Sequence, residues 1–410
     1  MGRDRGATGH AVTARPERQT GLVALLGFLS AFGPLSMDLY LPALPRIQTG
    51  LATGQSPVQL TLSAVALGLA VGQLIAGPLS DRFGRRGPLL VGIGTWALAS
   101  LLCALSPTIW TLIAIRLVQG MGGSAGIVLA RAIVRDRTGG MEAARVFAVL
   151  ASILGGAPVL APVIGGQLLR VTDWRGLFVF LAGTGLVLLL VTYRTLPETL
   201  PPERRVTGGL RTTLVNGRTL IRRRAFVAAV LAQACGYGAL FTYISGSPFA
   251  LQTGYGLSAQ QFSLLFAVNG AGMVVAAQAS RLLVQRAGPR RLLLAGLTLQ
   301  VVAGASLLAA AVTGAGVAVV LTALFVLVSA NGLVLPNATA LAMADSDRMA
   351  GSAAALLGVT QFTVAGIGAP LIGLGTAGTL LPVAVVVSAF AALGTAAAAA
   401  APAGRSPASA

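Results

Sequence analysis

Twelve apolar runs, each long enough to cross a bilayer, set the limits on what this chain can fold into. They cover approximately residues 21–45, 58–79, 88–106, 108–134, 145–169, 175–194, 225–251, 259–284, 290–312, 315–343, 351–374 and 378–402. A spanning helix needs about 20 apolar residues. Only one long polar interruption breaks the series, at 195–224. It holds Pro197, Pro201 and Pro202 and ends in Arg222, Arg223 and Arg224. The pattern predicts an all-α membrane protein whose twelve transmembrane helices form two pseudo-symmetric six-helix bundles, 21–194 and 225–402. A linker at 195–224 and tails at 1–20 and 403–410 complete the division.

Composition enters as a check on that reading. Charged residues make up 10% of the 410-residue chain, against roughly 25% in a soluble domain. They are too few to cover a water-facing surface of this size. A net charge of +18 suits nucleic acid, but its placement does not. All 29 basic residues are arginine, set in short clusters between apolar runs. Membrane lipids, not nucleic acid, are the expected partner. With the N-terminus inside, 25 arginines fall on the cytoplasmic side and three outside, Arg46, Arg170 and Arg175, while Arg116 lies within a span. By the positive-inside rule both termini are cytoplasmic. The first apolar run is too long for a signal-peptide core and reads as a transmembrane helix. Abundant alanine and the lack of lysine suggest a GC-rich bacterial genome, hence a bacterial inner membrane; a multi-pass monomer is expected.

Two cysteines, Cys103 and Cys235, lie inside apolar runs without metal-ligand spacing, and the single histidine, His10, lies in the tail. No metal, cofactor or enzymatic centre is expected. An enzyme would need a nucleophile and base at the membrane, and none is evident. A sensor would normally add a soluble output domain.

The halves carry a shared turn. Gly77-Pro78-Leu79-Ser80-Asp81-Arg82-Phe83-Gly84-Arg85-Arg86 joins the second and third runs, and Gly288-Pro289-Arg290-Arg291 joins the eighth and ninth. Gln285 stands in the second copy where Asp81 stands in the first. Gly84 permits a sharp reversal with φ > 0. A decayed repeat of this kind is expected of secondary transporters, with the substrate site between the halves near mid-membrane.

Asp38 is the one acidic residue placed well within a span. An intramembrane carboxylate is costly and marks a substrate or ion pathway. Desolvation favours its protonated form and a nearby cation its charged form, so small rearrangements can load and unload a proton. A structural carboxylate beside the break at Pro42 is the plainer alternative. Arg116 is its expected partner. At about 1.5 Å per residue the two lie roughly 10 and 14 Å below the outer surface, so a direct or water-bridged pair fits. In the fifth run, the small residues and the prolines of 155–166 allow close approach and bending.

Nine polar or aromatic residues complete the candidate cavity: Tyr40, Gln119, Gln233, Tyr237, Tyr243, Asn269, Asn331, Asn337 and Gln361. Singly, each suits an interhelical hydrogen bond better than a substrate contact. As a set with Asp38 they outline an amphiphilic cavity with few polar anchors. Such a cavity favours mid-sized drug-like molecules over sugars.

The 77–86 turn resembles the signature G-x-L-(S/A)-D-R-x-G-R-(R/K) of the major facilitator superfamily. The stretch Asp38-Leu39-Tyr40-Leu41-Pro42-Ala43-Leu44-Pro45 resembles the Bcr/CflA group of drug:proton antiporters in particular. Arg116 to Gly120 resembles the superfamily's helix-four signature. Ala161-Pro162-Val163-Ile164-Gly165-Gly166 resembles the antiporter signature G-P-x-x-G-G, with Ala161 in place of its first glycine. Pro197-Glu198-Thr199-Leu200, Asn331-Gly332 and Gly351-Ser352-Ala353 also resemble the group. The resemblance implies exchange of a drug-like compound for protons by alternating access, with Asp38 and Arg116 coupling the proton. It implies a gating charge cluster of Asp81, Arg82, Arg85 and Asp136, with Asp81 reaching the start of helix eleven. Symport, or export of a small metabolite such as an amino acid, is the alternative within transport.

Overall fold

The computed structural model describes residues 16–138, 140–205, 217–344, 349–373 and 379–400. Most of the two tails and the middle of the linker lie outside the described residues, as do Asp345 and Asp347. Every regular element among the described residues is helical. The first span is built from pieces: α1 (Pro16–Ser30), α2 (Phe32–Asp38) and α3 (Leu44–Gly50), with a 3-10 turn at Leu41–Ala43. There follow α4 (Gln55–Phe83), α5 (Arg86–Ala104), α6 (Ile109–Arg137), α7 (Gly140–Leu168) and α8 (Trp174–Thr195). After the linker come α9 (Arg224–Pro248), α10 (Ala259–Ala287), α11 (Pro289–Thr313), α12 (Val317–Met343), α13 (Ala350–Gly373) and α14 (Leu381–Ala399).

Ten of these helices are long and apolar enough to span, and the bent pair 21–30 and 35–50, at 46° to each other, makes an eleventh. The 29-residue α7 occupies the remaining expected position, and its described apolar stretch is Gly156–Leu168. The 46° bend of the first span falls at residues 31–34, and a second irregularity, the 3-10 turn at Leu41–Ala43, follows where proline dictates it. Pro42 and Pro45 lack an N–H and cannot continue a helix, but each fits the first turn of the element it opens. The 3-10 turn and α3 begin on them.

Within the first half α4 packs on α6 and α5 on α8. Within the second α9 packs on α14 and α11 on α12. The halves meet along two seams, α4 with α13 and α7 with α10. Exchanging the halves turns each seam into the other, as a duplicated bundle requires. The repeated turn is visible in the backbone, since Gly84 and Gly288 have φ of 92° and 75°.

The tightest crossing is glycine against glycine. A Cβ on Gly68 would lie 2.2 Å from the Leu117 carbonyl oxygen, and one on Gly120 would lie 2.3 Å from that of Val65. Backbone is the obstacle on both sides, so a methyl group forces α4 and α6 apart. Gly120→Ala should therefore lower stability by about 1–3 kcal/mol, the usual cost of overpacking. A thermal melt in detergent identical to that of the unaltered protein would remove this close-packing role.

Side-chain hydrogen bonds join the halves toward the arginine-poor end. There Ser56 Oγ donates to the Gly373 carbonyl at 2.6 Å, Gln260 Nε2 to Gly166 at 3.0 Å and, deeper, Gln59 Nε2 to Ser245 at 3.2 Å. Arg46 and Arg175, two of the few arginines at this end, donate to the carbonyls of Leu169 and Ser106. Carbonyls freed at helix C-termini need such donors.

Candidate functional site

Asp38 ends α2, just before the 3-10 turn, and is 5% exposed. It is the one carboxylate in mid-span among the described residues. The 3-10 turn that follows it packs on α9 and α10, in the opposite half. Asp38 thus belongs to the seam between the bundles.

Arg116 lies at 0% exposure on α6 and faces elsewhere. It donates to the Ser36 carbonyl at 2.6 Å and to Gln119 Oε1 at 2.5 Å. Its guanidinium stands over the Tyr40 ring, 4.2 Å from the centroid, with Phe178 at 5.6 Å. No ion pair joins it to Asp38 among the described residues, so of the direct or water-bridged pair expected from depth the direct form is not seen. The reason is azimuth. Ser36 and Tyr40 are four residues apart and share one face of the first span, whereas Asp38, two residues from each, points to the other side. Depth alone does not bring two side chains together.

Around Arg116 the first half builds a closed polar network. Gln119 accepts from Arg116 and donates through Nε2 to Ser100 Oγ at 2.6 Å. Trp96 Nε1 donates to Ser36 Oγ at 2.7 Å, and the Tyr40 hydroxyl shares a hydrogen bond with Thr61 at 2.9 Å. Both ends of the Gln119 amide and the Tyr40 hydroxyl are therefore engaged inside the bundle. Three more candidates also serve as interhelical or local bonds. Asn269 donates to the Tyr243 hydroxyl at 3.0 Å, Asn337 to Ser280 Oγ at 2.7 Å, and Asn331 to the carbonyl one turn before it.

The remaining candidates come together beside the seam. Gln233 Nε2 donates to Gln361 Oε1 at 2.9 Å, and Tyr237 lies one turn along α9 from Gln233, on the same helix face. Thr339, which sequence reasoning did not single out, donates to Gln233 Oε1 at 2.8 Å. This row ties α9, α12 and α13 within the second half. Phe362 meets Tyr237 edge to face, with ring centroids 5.8 Å apart.

The charged turn forms a second centre at the arginine-rich end. Arg85 pairs with Asp81, and through Nε with Asp136 at 2.9 Å, and it also donates to Ser80 Oγ. Arg82 is exposed and stacks on Phe83, apart from this cluster. Among the described residues Asp81 pairs with Arg85 of its own half, and part of the start of helix eleven lies outside them. A residue the sequence argument left without a role completes the turn. Glu198, from the start of the linker, accepts backbone N–H bonds from Arg85 at 2.8 Å and Arg86 at 3.2 Å, and from Thr199 and Leu200. Helix α5 has no side-chain cap of its own, so Glu198 caps it from a distance. A Cβ on Gly84 would fall 2.4 Å from Glu198 Oε2, which is why glycine stands there. Burial pushes the Glu198 carboxyl up, but the four N–H donors outweigh it and hold it below the usual range. Its place as one of only two acids among the arginines of the linker, Glu198 and Glu203, was the available signal for this residue.

A twelve-helix bundle with two seam-related halves and a buried carboxylate beside their junction defines a membrane transporter. The Major Facilitator Superfamily pattern matches residues 25–370, and the chain belongs to that family. It is 38% identical over 385 residues to an uncharacterized MFS-type transporter, YdgK, of Bacillus subtilis, covering 92% of this chain and 94% of the relative. A bicyclomycin resistance protein homolog of Haemophilus influenzae is 29% identical, over 84% and 87% of the two chains. A chloramphenicol resistance protein of Pseudomonas aeruginosa is 34% identical, over 70% and 67%. These names are consistent with the Bcr/CflA group. Among solved structures, the nucleoside transporter NupG superposes with a TM-score of 0.74 at 14% identity, covering 92% of this chain and 98% of that one. A bacterial homolog of the human lysosomal transporter Spinster gives 0.73 at 16%, covering 95% and 97%. At these identities the likeness is one of fold. The protein is a multi-pass membrane transporter, not an enzyme.

Proposed function

We propose that the protein exports drug-like compounds in exchange for protons, with Asp38 as the site of coupling. The observation that carries this reading is the position of Asp38. It is a buried carboxylate next to the 3-10 turn that packs on α9 and α10 of the opposite half. Rocking of the halves changes its surroundings, and a group whose solvation and neighbours change is one that binds and releases a proton. Arg116 acts from the first half as a fixed cation, held by Ser36, Gln119 and Tyr40. Protons enter at the arginine-poor face, which is the outer one, load Asp38 and release the substrate. Loss of the proton to the cytoplasm resets the carrier. The relatives named for bicyclomycin and chloramphenicol resistance support an antibiotic-like substrate. The Tyr237, Gln361 and Gln233 row offers few polar anchors beside aromatic rings, as an amphiphilic ligand needs.

The test is transport in proteoliposomes carrying a pH dye, with an imposed pH gradient and a panel of candidate drugs. Substrate-dependent proton movement, opposite in direction to drug movement, is expected. Drug flux that ignores the gradient would replace this reading with a uniporter. Co-directional fluxes would replace it with a symporter.

A further inference from the structure

A cavity of about 480 Å³ opens at the arginine-rich end, beside the seam of α4 and α13. Its floor is apolar, made by Leu74 of α4, Ala355, Leu356 and Val359 of α13, and Ile221 of the linker. Its rim carries Arg218 and Arg222, one helical turn apart. Both are exposed, and neither is paired with another described residue. Leu220, between them, is fully buried in a cluster with Phe226, Ala229, Val230, Ala353 and Leu357. That anchor turns the two guanidinium groups toward the cavity mouth. Leu74 lies nine residues from the end of α4, so the slot descends roughly 14 Å into the span.

Two unpaired cations over a slot that is apolar along its depth match one chemistry, an anionic headgroup on a hydrocarbon chain. We propose that this cavity is a binding site for an anionic phospholipid. Arg218 and Arg222 hold the phosphate, and the upper part of one acyl chain lies along Leu74, Leu356 and Val359. The charge is complementary, the depth is that of the membrane interface, and arginine takes phosphate with paired N–H donors. A lipid there bridges a first-half helix and a second-half helix, Leu74 of α4 and Leu356 of α13. Its occupancy therefore bears on how readily α4 and α13 close.

The experiment is native mass spectrometry of the purified, delipidated full chain titrated with phosphatidylglycerol and with phosphatidylcholine of the same chains. One phosphatidylglycerol should be retained in preference. R218Q/R222Q should weaken that binding by roughly thirty-fold, two surface arginines' worth of attraction. R281Q/R286Q, at the same face but away from the cavity, should leave it unchanged. Leu356→Trp keeps both arginines but fills the slot, and should also displace the lipid. Equal retention of the two lipids would overturn the site. So would displacement by inorganic phosphate at concentrations matching the lipid, which would mark a plain anion site. An effect of R281Q/R286Q as large as that of R218Q/R222Q would reduce it to general surface charge.

Discussion

Asp38→Asn is expected to abolish substrate transport against a gradient while leaving insertion and folding intact. Asparagine keeps the volume and the polarity of the side chain and removes only its ability to ionise. A carboxylate held at 5% exposure in a span contributes nothing to packing that asparagine cannot supply, and the cost of burying charge there is relieved by the change. Coupled proton movement in proteoliposomes should fall to the level of empty vesicles, and the thermal melt should stay the same or rise. Downhill drug flux should persist in the variant, because the Tyr237, Gln361 and Gln233 row is untouched. Uphill efflux retained at the unaltered rate would remove Asp38 from coupling. Loss of both folding and transport would make it the structural carboxylate of a broken helix. Arg116→Gln tests the partner. Its two bonds inside the first half mean that this change loosens the bundle as well as transport. Of the two, Asp38 is therefore the cleaner probe of coupling.

What the sequence made legible follows the physics of each step. Span count was readable because lipid demands long apolar runs, and the two glycine turns were readable because only glycine takes a positive φ without strain. Depth along a helix was readable from residue number. Rotation about the helix was not, because the first span bends at 31–34, just before Ser36, Asp38 and Tyr40. Arg116 and Asp38 therefore share a depth but not a face. The cavity set divided for a related reason. A polar side chain in a span seeks a partner wherever its face points. For Tyr40, Gln119, Asn331 and Asn337 that face is the interior of a bundle. Gln233, Tyr237 and Gln361 point toward one another beside the seam, and no spacing in one chain announces that three helices will converge. Thr339 joined them without any sequence signal.

Arg85→Gln should disable the charged turn more severely than any other single change there. Arg85 is the only described residue that joins Asp81 and Asp136, and its side chain is 6% exposed against 15% for Asp136. Removing it leaves the Asp136 carboxylate half-desolvated and unpaired, and breaking such a pair costs about 3 kcal/mol, roughly a hundredfold in an equilibrium. Glu198→Ala strips the cap from α5 and should cost less, about 1–2 kcal/mol, because its donors lie nearer to water. Both variants should melt lower and transport more slowly, yet both should keep proton and drug movement coupled, since Asp38 is undisturbed. The two losses should not add, because each releases the same turn. The pH dependence separates this centre from the coupling site. The lowered pKa of Glu198 means its clamp is fully formed above the ordinary glutamate value of 4.5 and is lost only as pH falls through the lowered native value. Through neutral pH it stays ionised, so Glu198→Ala should scale the transport rate equally at every pH while leaving the profile's midpoint in place. A shifted midpoint in that variant would mean that Glu198 itself carries the transported proton.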